Sequence, residues 1–134
     1  MTVTSRRCID LVGTTDAPAL ARRFTAVFLA DAEISCGHPG SPGSRDAVLL
    51  VASELVTNAV RHAPGPCTLC LAACDRGVLV EVRDTSAAPP RPRIPDITGE
   101  LGGWGWTMLN RLADEVLVLP GRDGGKTVRT CLPW

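Results

Sequence analysis

Lysine is almost missing from this chain, and so is any excess of charge. Of 14 basic residues only Lys126 is a lysine, and 14 acidic residues balance them. The arginine bias reads as the coding habit of a G+C-rich genome and says little about function. Zero net charge leaves no overall basic field to gather nucleic acid or an anionic lipid surface. No apolar run approaches the ~20 residues that cross a bilayer, and no charged, then apolar, then small-residue leader opens the chain. The expectation is a cytoplasmic protein without membrane or direct nucleic-acid contacts.

Histidine is scarce as well. His38 and His62, with no GxSxG, leave nothing on which to build a serine hydrolase. Cysteine is not scarce, but its spacing is unspecific. Cys67, Cys70 and Cys74 look at first like a metal or redox motif, yet no second CxxC or histidine pair stands at zinc-finger spacing. On a strand, positions 67 and 70 face opposite sides while 70 and 74 share one. These three are expected to serve as small apolar side chains, and all six, with Cys8, Cys36 and Cys131, to be free thiols, as suits a reducing compartment. Repeats, long linkers and low-complexity tails are also absent. At 134 residues and 45% hydrophobic, the chain reads as a single domain, 1–134, able to fill one core.

What is there alternates between strand-like and helix-like periods. Residues 2–12 suit an edge strand. Thr14, Thr15 and Asp16 precede a helical pattern through Ala30, with Pro18 in the first turn, where its missing N–H is harmless. The cluster GHPGSPG, 37–43, ends it, and Ser44 or Arg45 leads into a second helix running to Ala63. Strands at 68–74 and 78–84 form a hairpin through Asp75, Arg76 and Gly77. Four prolines between 87 and 99 exclude a regular element and mark a loop or lid, about 87–102. Gly102 to Gly105 opens a helix over about 106–114, and a final hairpin pairs 116–119 with 126–132. This order predicts an α+β two-layer sandwich, a mixed, mostly antiparallel sheet with helices on one face.

The second helix carries the chemistry-bearing pattern, SELVTNAVRH. Glu54, Asn58 and His62 fall four apart, so neighbours lie about 6 Å from one another on one face of an otherwise apolar helix, with Arg61 beside them. Glu54 and Asn58 read either as a structural pair across a helix contact or as a site for hydrated Mg²⁺. In the second reading the carboxamide holds the ion and the carboxylate orients or deprotonates a hydroxyl. Asp84, at the end of VLVEVRD, is either strand-end punctuation or an acceptor for an exocyclic amine such as that of adenine. The glycines of GGWGWTML supply a turn, and before a helix N-terminus they also let backbone N–H groups approach a phosphate. They match neither a Walker A pattern nor a dinucleotide GxGxxG after a strand. Trp104 and Trp106 read most simply as packing residues.

Taken in order, ELVTNAVRHA, VEVRDTS, the proline-rich lid, GGWGWTMLNRLADEV and GGKTV resemble the GHKL (Bergerat) ATPase superfamily. Within it the chain is similar to stand-alone anti-sigma-factor serine/threonine kinases of actinobacterial type. The likeness runs from Asp16 onward. It implies the Bergerat ATP-binding fold, with ATP and Mg²⁺ held between the layers under the lid. It further implies Asn58 as metal ligand, Glu54 as catalytic base, Asp84 on the adenine amine with Ser86 beside it, Gly103 and Gly105 in the phosphate turn, and Thr127 reaching the adenine. The implied activity is phosphorylation of an anti-anti-sigma (STAS-type) partner and sequestration of a sigma factor by a homodimer. The alternative is a non-catalytic, ATP-dependent protein-binding module. The superfamily's DxGxG is Asp84, Thr85, Ser86, Ala87, Ala88 here, and Leu101 and Trp104 stand where related kinases commonly have arginine. Arg61, Arg91 or Arg93 could supply that charge. The catalytic half of a two-component histidine kinase is disfavoured, since no dimerisation stem or phospho-accepting histidine precedes Asp46.

Overall fold

In a computed structural model of the chain, residues 2–12, 15–36, 40–63, 65–86 and 111–134 are described. The expected lid, Arg91, Arg93, Leu101, Gly103, Trp104, Gly105, Trp106 and all but the end of the helix predicted to follow lie outside these residues, as does His38. The described elements run β1 (Val3–Leu11), α1 (Ala17–Cys36), α2 (Pro42–His62), β2 (Cys67–Cys74), β3 (Gly77–Asp84), β4 (Glu115–Pro120) and β5 (Lys126–Leu132).

The two described helices and five described strands form the predicted two layers. The sheet has the order β1-β2-β3-β5-β4, and every described pair is antiparallel rather than mixed. Each strand shows one face to the helices. Leu69 and Leu71 of β2, Val78, Val80 and Val82 of β3, and Val128 and Leu132 of β5 are buried together with Phe28 and Leu29 of α1 and Val48, Val51, Leu55 and Val56 of α2. Period-two strands and apolar helix stripes meet here as the sequence pattern requires.

Two helix boundaries differ from expectation. α1 continues past Ala30 to Cys36. α2 starts inside the glycine-proline cluster, because Ser41 is in an extended conformation and its hydroxyl accepts from the Ser44 N–H at 3.1 Å, with Pro42 in the first turn. That is a side-chain N-cap followed by a residue that has no N–H to satisfy. Arg61 and His62 close the last turn, where positive charge suits the helix dipole.

The face of the sheet away from the helices carries charged and polar groups beside a small apolar cluster of Ala72, Leu79 and Cys131, and it corrects one expectation. Glu81 sits between Arg129 (Nε to Oε1 3.0 Å) and Arg6 (3.8 Å), and Thr68 donates to Asp10 at 2.8 Å. Cys8 and Cys70, paired across the β1–β2 ladder, are joined by a disulfide and are not free thiols. Sequence spacing could not reveal this, because 62 positions separate them and only the strand register makes them neighbours. Cys67, Cys74 and Cys131 are free as expected. No described helix is long and apolar enough to cross a membrane.

Closing so long a loop contributes roughly 2–4 kcal/mol. Non-reducing digestion should yield a linked peptide pair containing Cys8 and Cys70 that disappears in Cys8→Ser. Urea unfolding should show that loss of stability in the variant. An unchanged unfolding midpoint would mean that the bridge does not tie β1 to the sheet.

Candidate functional site

The alternation that turns Val78, Val80 and Val82 inward also turns Asp84 inward, although Asp84 is charged. It is 7% exposed, and across the β3–β5 ladder it faces Lys126, which is 5% exposed. Lys126 Nζ donates to Asp84 Oδ1 at 3.0 Å, to Oδ2 at 2.9 Å, and to the Ser86 carbonyl at 3.2 Å. The Ser86 backbone N–H donates to Asp84 Oδ1 at 2.9 Å, turning the chain away after the strand. Two charges are therefore taken out of water, and their desolvation is offset only because the pair is bidentate and its remaining donors are satisfied.

The backbone approaches closely here. A side chain at Gly125, just before β5, would bring a Cβ within 2.2 Å of the Asp84 carbonyl oxygen. Glycine at 125 thus lets the turn after β4 pass over the end of β3. Cys67, at the start of β2, lies at the same end. Burial, and then the nearby Asp84 charge, push its thiol pKa up, so it stays protonated and unreactive.

The C-terminal end of α2 comes to this same place. The helix ends at His62, and Gly65 in the following turn packs near Thr85, with 3.7 Å between its virtual Cβ and the threonine methyl. Asn58 is four residues before that end, about 6 Å along the axis. It is buried at 9% exposure on a helix that packs against β3. Its Oδ1 is the one buried side-chain nitrogen or oxygen among the described residues that has no hydrogen-bond partner. Leaving such an acceptor unmet costs roughly 1–3 kcal/mol. Glu54, one turn earlier, is half-buried, whereas Arg61 and His62 are exposed, so Asn58 is the most buried member of the polar stripe.

An orphaned carboxamide oxygen fits a hard cation or one of its bound waters. No group of three or more His, Cys, Asp or Glu side chains is placed to hold a metal among the described residues. A cation at Asn58 would take its other ligands from water and phosphate, as Mg²⁺ habitually does.

Of the expected site residues, Asn58 near the C-terminal end of α2 lies at the same end of the sandwich as Asp84 and Ser86, and Glu54 stands one turn further back along the helix. Thr127 does not join them. It pairs with Arg83 and, following Lys126, falls on the opposite face of the sheet. Gly103 and Gly105 lie outside the described residues. The residue that sequence reasoning missed is Lys126. Parity along β5 was the available signal, since Val128 and Leu132 must face the core and position 126 shares their face.

Residues 14–132 match the family model of the histidine kinase-like ATPase domain. No curated protein matches the chain. Among solved structures 11 chains match. One contains the RsbU and RsbW domains of Rv1364c from Mycobacterium tuberculosis. It is 22% identical with a TM-score of 0.69 over 97% of this chain, and this chain covers 33% of its length.

A buried pair of this kind resists loss of one partner more than loss of both. Asp84→Ala or Lys126→Met alone should each lower unfolding stability by roughly 3–5 kcal/mol. The double variant should recover much of that loss in urea unfolding. Single losses below 1 kcal/mol would show that the pair is open to water.

Proposed function

The chain belongs to the histidine kinase-like ATPase domain family, and on that premise we propose that it is an ATP- and Mg²⁺-binding regulator of the anti-sigma type. In this reading one domain, 1–134, acts in the cytoplasm as a serine/threonine protein kinase. It phosphorylates an anti-anti-sigma partner and, as a homodimer, sequesters a sigma factor. The observation that carries the reading is the unpartnered Asn58 Oδ1, buried on α2 one turn from Glu54 and at the same end of the molecule as Asp84. A helix this apolar has no structural use for a lone acceptor, and a metal-bound triphosphate supplies what the acceptor lacks. Likeness to a structure that includes an RsbW domain supports the fold assumed here.

Each residue then has a task set by its chemistry. Asn58 Oδ1 would hold Mg²⁺, directly or through one of its waters, and the ion would supply positive charge to the phosphates of the nucleotide. Glu54 receives the proton of the attacking serine or threonine hydroxyl, a carboxylate serving as general base. Asp84 accepts a hydrogen bond from the exocyclic amine of the base, and Ser86 holds that carboxylate in place through its backbone N–H. The exposed Arg61 on α2 is the described cation nearest in sequence to Asn58 and offers charge to the transferring group. Gly103 and Gly105 are assigned to the phosphate turn.

A second reading is a non-catalytic module in which ATP only selects a protein partner. Leu101 and Trp104, standing where related kinases carry arginine, favour it.

Calorimetry and label transfer separate these readings. Asn58→Ala should abolish Mg-ATP binding. Glu54→Gln should bind normally but lower transfer of labelled phosphate to a partner by roughly 10²–10⁴-fold. Wild-type protein that binds Mg-ATP and labels no partner supports the passive module. Normal binding and transfer by both variants removes the site from α2.

A further inference from the structure

Lys126 is the only lysine in the chain, and it is almost wholly buried. An ammonium has three N–H donors, and here each has an acceptor within 3.2 Å: Asp84 Oδ1, Asp84 Oδ2 and the Ser86 carbonyl. Asp84 also receives the Ser86 N–H on Oδ1. Three of the roughly four acceptor positions of a carboxylate are therefore filled from within the chain.

A purine's 6-amino group requires that same carboxylate. It is neutral, while the ammonium is charged, and a hydrogen bond with one ionised partner is about twice as strong as a neutral one. Here both partners are ionised and the ammonium makes two such bonds. We infer that Lys126 is a built-in competitor for the base subsite: its ammonium occupies the position on Asp84 that a 6-aminopurine would take, and the nucleotide binds by displacing it. This builds on the reading of Asp84 as base anchor and adds a residue that sets affinity. Displacement leaves the sheet intact. Lys126 is the first residue of β5, next to the turn through Gly121 to Gly125, and its backbone stays paired with Asp84 while the flexible stem swings aside.

Because the lysine is unique, ¹⁵N-lysine labelling of the untagged protein marks one side-chain ammonium. Without nucleotide, NMR should detect a protected ammonium, slow to exchange with water. Saturating Mg-ATP should shift or broaden it to the behaviour of an exposed lysine. A signal unchanged at saturation overturns the displacement. In calorimetry Lys126→Thr should bind Mg-ATP about tenfold more tightly than wild type, equivalent to about 1.4 kcal/mol. Equal or weaker binding by folded Lys126→Thr overturns the proposal. Asp84→Asn should abolish binding in both backgrounds. If Asp84→Asn binds like wild type, or neither wild type nor Lys126→Thr binds, the base-anchor reading fails and the competitor fails with it. Asp84-dependent binding with an unmoved Lys126 signal rejects the competitor alone.

Discussion

Antiparallel pairing of β3 with β5 holds the site and the core in a single register. Val82 faces Val128 and Val78 faces Leu132 on the side covered by helices, and two positions beyond Val82 the same parity brings Asp84 against Lys126. Slipping either strand by one residue would turn its valines to solvent and carry Arg83 or Thr127 inward. The hydrophobic pattern therefore forces a charged pair into the interior. The chain meets that cost with hydrogen bonds, through two carboxylate oxygens, the Ser86 carbonyl and the Ser86 N–H. Gly125 completes the arrangement, because any larger residue would press on the Asp84 carbonyl.

α2 obeys the same logic from the other layer. Its apolar stripe packs on the sheet, and burying that stripe buries Asn58 with it. Buried hydroxyls elsewhere in the helices find local acceptors: Thr25 donates to the Ala21 carbonyl at 2.7 Å. Asn58 Oδ1 has no such local remedy, since a carbonyl oxygen needs a donor and the surrounding backbone N–H groups are used by the helix. One end of the sandwich thus combines a carboxylate engaged from within the chain with an undersatisfied carboxamide. That imbalance is what distinguishes it from the rest of the interior.

The opposite face of the sheet has a different character. Glu81 bridges two arginines, and Cys8 is bonded to Cys70, fastening the edge strand β1 to its neighbour. The two buried free thiols, Cys67 and Cys131, are held protonated chiefly by burial and act as packing groups. Cysteine chemistry in the described fold is therefore concentrated at the β1–β2 edge, away from the helices.

Local pattern was enough for most elements and for the α+β layering, since period-two and helical hydrophobicity, glycine-proline turns and capping residues all act within a few positions. The burial of Asn58 and Asp84 was legible too, because a polar group at a core-facing position is visible in one dimension. Local pattern missed the late end of α1 and the early start of α2 capped by Ser41. Partners distant in sequence were not legible. Joining Cys8 to Cys70, setting Lys126 on Asp84 and sending Thr127 to the far face all follow from strand register. Register is chosen by the packing of the two layers as a whole, and no stretch of sequence contains it.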